Sequence, residues 1–502
     1  MRTDRAGRYV LGIDGGTEGL RAGLFDLEGA PLAFASTPYE TRFPQPGWAE
    51  QQPRDWWAAL GESVRSCVRA AAVDARDIAA LALDTTCCSV VMLDGKGEAL
   101  RPALIWMDVR AQAQARRIAA TGDAALRINS DGGGPVSAEW MIPKALWLKE
   151  HEPQAFDAAH TVCEYQDYLN QRLTGRCVAS LNNVSVRWHY RSQQGGWAHG
   201  LLGKAGIAEL AGKWPREVLA PGTPIGPLVP EAAAHLGLAP GTPVVQGGSD
   251  ASMAVIGLGV VDAGAMALVT GSSHLQLGFS ARALHGKGIW GSYSDAILPG
   301  LHLVEGGQTS TGSIVNWFRR LAGRDVAYEA LDDEAARVPI GAEGVLVQDH
   351  FQGNRTPHTD PLSRGAIVGL TLKHERGHIL RAMMESVAYG TRLILENMAA
   401  NGFVVRELTL SGGVAKSPVW LQVHADVLGL PLKLTRTSEA ACLGSAVSAA
   451  VGAGCFGTIV EAARAMTRVT RVVEPDARAH EAYAAHYGRY QALYPALRPV
   501  VA

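Results

Sequence analysis

The sequence predicts an α/β chain of two domains with room for a cleft between them. Three observations point there. The chain has 502 residues of which 47% are hydrophobic, enough for two buried cores. Its opening stretch runs apolar, turns through glycines and resumes with alternating apolar residues. Strand-and-glycine turns of the same design recur far downstream. The charge balance narrows the partners: 46 basic and 48 acidic residues lie without long runs, for a formal net charge of −2, so neither nucleic acid nor membrane is expected. Polar Met1-Arg2-Thr3-Asp4-Arg5 leads into the first strand, and no apolar run approaches the length of a bilayer span. Seven cysteines, an odd number, show neither CxxC nor His/Cys ligand spacing. Reduced thiols, no disulfide, no structural zinc and a cytoplasmic location follow as expectations.

The organising stretch is Val10 to Asp26. An apolar run ends in Asp14, turns through Gly15-Gly16-Thr17, and returns through Ala22, Leu24 and Asp26. Glycines let backbone N–H groups approach a phosphate, a hydroxyl adds a donor, and a neighbouring carboxylate can hold a hydrated divalent cation. An ordinary glycine hairpin would read the same way in isolation. After the turn-rich Pro44 to Gln51, Asp55 is expected to cap a helix carrying Trp56, Trp57, Leu60, Val64 and Val68 on a core face. Ile78 to Asp94 then gives a buried strand, the small polar tip Asp84-Thr85-Thr86-Cys87-Cys88 and a second strand. Trp106-Met107-Asp108-Val109-Arg110 sets an acid and a guanidinium two apart, suited to sugar hydroxyls or to an internal salt bridge. Ile142 to Gly175 reads as helical scaffold, and the polar, aromatic stretches Asn182 to Trp188 and Gln193 to Trp197 read as loops.

Val244-Val245-Gln246-Gly247-Gly248-Ser249-Asp250 brings a short strand through glycines to an acid at the start of a small-residue helix. Such an Asp serves either as a helix cap or as a carboxylate that takes the proton of an attacking hydroxyl. Ala265 to Val269 enters Thr270-Gly271-Ser272-Ser273 and leaves as another strand, repeating the opening design. Leu408 to Ser411 feeds Gly412-Gly413, and a helix is expected from about Pro418 to a stop at Gly429.

Taken together these stretches resemble the FGGY family of carbohydrate kinases, from Leu11 to the tail near Tyr494-Pro495. The resemblance implies two actin-like/sugar-kinase ATPase (ribonuclease H-like) domains flanking a central cleft. Residues 1–256 would form the N-terminal domain with the sugar site, first phosphate motif and catalytic base; 257–502 would carry the second phosphate and adenosine motifs. It implies ATP and Mg2+ as cofactors. Asp14 would act through magnesium, Gly15, Gly16 and Thr17 would face the phosphates, Thr270-Gly271-Ser272 would form the second phosphate motif, and Gly412, Gly413 and Ser417 the adenosine motif. Asp250 matches the general base. Sugar-binding positions carry over at Thr86, Cys87, Asp108, Arg110 and Glu305, beside Asp250 itself. The tip at Thr86-Cys87 has neither the Met-His of xylulose kinases nor the Arg-Glu of glycerol kinases and looks closer to ribulokinase-like members. The implied partner is a small sugar or polyol, a ribulose-like pentulose first, with xylulose, erythritol, ribitol or a keto sugar acid as alternatives. A homodimer is one assembly left open. A non-catalytic actin-like ATPase or a sugar sensor would not need an acid at Asp250, and the absence of GxGxxG after an early strand disfavours hydride transfer.

Overall fold

The computed structural model describes residues 8–128, 135–323 and 326–501; the N-terminal stretch Met1 to Arg5 lies outside them. Two compact units interleave along the chain. Residues 1–261, 293–303 and 439–468 make the first, and 262–292, 304–438 and 469–502 the second.

In the first unit the opening stretch forms the antiparallel strands Tyr9–Gly15 and Gly19–Asp26, with Asp14 opposite Arg21 and Gly15 opposite Leu20. They belong to a six-stranded sheet ordered Pro224–Pro227, Pro243–Val245, Ile78–Thr85, Tyr9–Gly15, Gly19–Asp26, Pro31–Pro38. Ile78–Thr85 runs parallel to Tyr9–Gly15, and Pro243–Val245 runs parallel to Ile78–Thr85. Parallel strands place their carboxyl ends at one edge, so the acids and glycines that follow them gather there. The core beneath is apolar: Leu11, Ile13, Leu20, Leu24, Leu81 and Leu83 are fully buried.

The segment 439–468 joins this unit because its helix, Ala440–Gly452, lies directly on the first strand. The close approach rests on Gly12, where a Cβ would collide with the carbonyl of Cys442. The helix Pro53–Ala71 buries Trp56, Leu60 and Val64 as the apolar spacing requires, but its cap is Gln52 and Asp55 sits in the first turn. Pro53 fixes this start, because its missing N–H is one the helix leaves unpaired anyway. Leu181–Arg187 is a helix where a loop was expected. Asn182 and Asn183 are buried there, and their amides bond to Ser252 and Gln166 at 3.0 and 3.3 Å. Polar composition suggested solvent; partnered amides suit a core equally well.

The second unit repeats the plan. Its seven-stranded sheet is ordered Gly291–Ser294, His302–Gln308, His274–Ser280, Ala265–Thr270, Glu407–Gly412, Leu432–Thr435, Val469–Val473. Ala265–Thr270 pairs antiparallel with His274–Ser280 and parallel with Glu407–Gly412, as Tyr9–Gly15 does with its two neighbours. The helices Gly312–Ala322, Tyr328–Ala336, Arg376–Ala400 and Pro418–Leu428 pack around it, the last ending at Gly429 in the left-handed conformation. Among the described residues no helix is long and apolar enough to cross a membrane.

Candidate functional site

The first hairpin turn is held from outside itself. Gly16 N–H closes on Gly19 O at 3.0 Å, the Tyr39 hydroxyl donates to Gly16 O, and Gln51 Nε2 donates to Thr17 O at 2.7 Å. Trp106 donates its indole N–H to Thr17 Oγ1 at 2.8 Å while keeping 38% of its surface exposed. Thr86 N–H bonds Gly15 O at 2.9 Å. The Thr86-Cys87 tip and the Gly15-Gly16-Thr17 turn are thus neighbours, although read from separate stretches of sequence.

Three carboxylates cluster beside this turn. Asp14 and Asp84 hold matching register positions on adjacent parallel strands. Both are raised from the ordinary carboxylate value, chiefly by burial, and for Asp84 next by the charge of Asp14. Asp84 is fully buried, receives the Ser445 hydroxyl on Oδ2 at 2.6 Å and leaves Oδ1 without a partner. Asp250, half-buried, opens the helix Asp250–Gly257, where Ser249 occupies the cap position. Burial first, and then the Asp14 charge, push Asp250 up to about 7. It is therefore a base poised near neutrality rather than a cap.

The approach to Asp250 is fixed by buried amides and hydroxyls. Asn182 Oδ1 accepts from Ser249 N–H at 2.9 Å and from its hydroxyl at 3.1 Å, and Ser180 donates to Gly247 O at 2.9 Å. Arg187 supplies the nearest opposing charge and also bonds the Tyr293 hydroxyl at 3.1 Å. Behind the Thr86 tip, buried Lys144 donates to Cys88 O and Ile105 O at 2.8 and 2.6 Å. Cys87 is half-buried and Cys88 takes a φ of +64°, which bends the tip sharply.

Asp108 and Arg110 take the internal salt bridge that their spacing allowed. Arg110 Nη2 meets Asp108 Oδ2 at 2.7 Å, with the two side chains 1% and 0% exposed. The acid also receives Ala49 N–H at 2.7 Å, and the guanidinium bonds Glu50 at 2.8 Å and lies 3.7 Å from the Trp48 ring centroid. Their work is to brace the segment carrying Trp106. Glu305 lies apart from these residues in sequence and unit, buried on the second unit's strand His302–Gln308, where its carbonyl accepts Trp290 N–H at 2.6 Å.

In the second unit a pocket of about 520 Å³ is lined by Gly271, Ser272, Gly413 and Ser417 among others. Gly271 O and Ser272 O accept Gly312 N–H and Thr311 N–H at 3.1 and 3.0 Å, tying the turn to the start of the helix Gly312–Ala322. Thr270 and Gly412 lie beneath. The Thr270 hydroxyl donates to Ser411 O at 2.6 Å and accepts Val414 N–H at 3.1 Å, so it joins the two turns instead of facing the pocket. Gly412 has a φ of +96°, and a Cβ there would strike Thr270 O. Ser417 caps the helix Pro418–Leu428 by accepting Trp420 N–H at 3.2 Å.

Sequence reasoning missed several groups at these places. Tyr39, Gln51, Lys144, Asn182 and Arg187 carry no local pattern that marks them, whereas Asp84 ends its strand as Asp14 does, and that parallel was readable. The pocket wall of Asn316, Tyr328 and Asp332 lies on helices whose apolar spacing resembles plain scaffold.

Comparison with known proteins matches residues 9–257 to the FGGY family of carbohydrate kinases, N-terminal domain, and residues 266–453 to the C-terminal domain of the same family. A human FGGY carbohydrate kinase domain-containing protein is 32% identical, over 93% of this chain and 93% of its own. A ribulokinase of Anoxybacillus flavithermus is also 32% identical, over 92% of this chain and 89% of its own. The crystal structure of a xylulose kinase from Rhodospirillum rubrum, 30% identical, superposes with a TM-score of 0.85 over 98% of this chain and 99% of that one.

Proposed function

The chain belongs to the FGGY family of carbohydrate kinases, and from that premise we propose that it transfers a phosphoryl group from ATP to a hydroxyl of a ribulose-like pentulose, with Asp250 as general base. The observation that carries this reading is the half-buried Asp250 carboxylate, pushed up to about 7 beside the Gly15-Gly16-Thr17 turn. A sugar hydroxyl is a poor nucleophile at neutral pH, and a base matched to that pH removes its proton as the bond to phosphorus forms. Asp250 therefore acts in its unprotonated form, and its Oδ1 is steadied by Ala251 N–H at 2.7 Å.

The second-unit pocket is the proposed nucleotide site, with Gly271 and Ser272 on the phosphates and Gly413 and Ser417 on the nucleoside. Backbone donors at Gly16 and Thr17 face phosphate oxygens, because phosphoryl transfer depends chiefly on alignment and electrostatics. The residues also fit magnesium. Asp14 is a hard oxygen ligand whose raised pKa reflects a shortage of positive charge, and magnesium commonly takes one or two protein carboxylates, with waters and phosphates completing its shell. When bound, the ion would neutralise charge on the transferring phosphate. Thr86 and Cys87, next to Gly15, are proposed to meet the sugar, as is Glu305.

Support for a pentulose comes from the ribulokinase relative and from the Thr86-Cys87 tip. Xylulose is a second reading, favoured by the likeness to the Rhodospirillum rubrum enzyme. Seven free thiols suit a reducing cytoplasm. The test is ADP release across a panel of D- and L-ribulose, xylulose, erythritol, ribitol and keto sugar acids. Sugar-dependent turnover highest with a ribulose supports the proposal, and ATP hydrolysis indifferent to every sugar removes it.

A further inference from the structure

The nucleotide pocket carries a device for reading the base, and the inference rests on the assignment of that pocket just made. Tyr328 and Asp332 stand four residues apart on the helix Tyr328–Ala336, hence on one face, and both line the pocket. Tyr328 is 45% exposed, yet its ring is fixed from two sides. The Arg319 guanidinium lies 4.5 Å from its centroid, and its hydroxyl donates to Asn316 Oδ1 at 3.3 Å. A clamped, open ring lining a cavity is a stacking platform.

Asp332 is half-buried and receives the Ser417 hydroxyl. That bond draws the carboxylate toward the turn that begins at Gly413. Glu329, on the same helix, adds a second acid to this end. Two acids repel a triphosphate, so the phosphates belong with the glycines and backbone donors of Gly271 and Gly312, and this end faces groups that donate hydrogen bonds. We propose that Tyr328 stacks on a purine and that Asp332 accepts a hydrogen bond from its exocyclic 6-amine, making the enzyme select adenine over 6-oxopurines. A site built around an acceptor discriminates strongly against an analogue that presents another acceptor, because two lone pairs are then left facing each other.

The experiment compares ATP with inosine triphosphate, which carries oxygen in place of the 6-amine, as phosphoryl donor in the full-length enzyme. Wild type should favour ATP by about tenfold or more in kcat/KM. In Asp332→Asn the side-chain amide can donate to the 6-oxygen, so the preference should shrink toward unity or reverse while the KM for sugar stays put. Tyr328→Leu should weaken both nucleotides and keep their ratio. An unchanged ratio in Asp332→Asn overturns the proposal, and so does a variant whose altered discrimination falls on 2′-deoxy-ATP instead. Gly413→Leu separates this from failure of the pocket assignment. No atom lies within 4 Å of a Cβ built there, so the fold tolerates it, and ATP binding unaffected by that change would overturn both readings.

Discussion

The Ser445 hydroxyl donates to the carboxylate of Asp84 at 2.6 Å, joining two buried residues 361 positions apart in the chain. Asp84 stands beside Asp14 in the sheet register, so a helix from the chain's far end reaches to within one residue of the phosphate turn. Removing that hydroxyl in Ser445→Ala leaves Asp84 with neither oxygen paired to a protein donor. The expected loss is about 1–3 kcal/mol of stability, read from the midpoint of chemical denaturation. Folding raises Asp84 above the ordinary carboxylate value, so the folded chain binds a proton more tightly than the unfolded one. This group's contribution to stability therefore falls as pH rises above about 3.9, the unfolded value. Asp84→Asn should flatten that part of the pH dependence of stability; an unaltered profile would show that Asp84 does not titrate between the two states.

Activity should run with pH in the opposite sense. Asp250 works only when ionised, and its value of about 7 puts the acid limb of kcat/KM for the sugar near neutrality. Below that point the rate should fall close to tenfold per pH unit, and above it level off. Asp250→Asn should cut turnover by about a hundredfold or more and abolish the limb, with nucleotide affinity nearly intact. A limb that persists in the variant would belong to another group and would falsify the base assignment.

How much of this was legible in the chain depends on how local the cause was. The Asp14 hairpin showed because strand alternation and a glycine turn are written in adjacent residues. The turns at Thr270 and Gly412 showed for the same reason, but the destination of the Thr270 hydroxyl did not, since Ser411 and Val414 lie about 140 positions away. Leu181–Arg187 was misread because composition cannot distinguish a solvated Asn from one whose amide is satisfied in the core. The return of Ala440–Gly452 onto the first strand depends on small residues meeting Gly12, a complementarity that neither stretch reveals alone.

Metal dependence offers a third measurement. Asp14 lies half-buried beside two other acids, an excess of negative charge that a divalent cation offsets. Asp14→Ala should shift the magnesium titration of activity to higher concentration and lower kcat, and direct magnesium–nucleotide binding by calorimetry should weaken in parallel. A titration that superposes on wild type removes Asp14 from the metal's surroundings.

Asp108 and Arg110 provide the sharpest contrast between bracing and contact. The guanidinium is held by Asp108 and Glu50 and packed against Trp48 with almost no exposure, so Asp108→Ala strands a buried cation with one partner fewer. Breaking a buried pair by removing one member costs about 3–5 kcal/mol, and that loss should appear as an earlier denaturation midpoint. Trp106, two residues upstream, instead reaches Thr17 with an exposed ring. Trp106→Phe, which deletes only the indole donor, should leave the midpoint within about 1 kcal/mol of wild type while raising KM. If Asp108→Ala kept full stability and lost sugar affinity, the roles would be exchanged: the acid would be touching substrate, and the ring would be the brace.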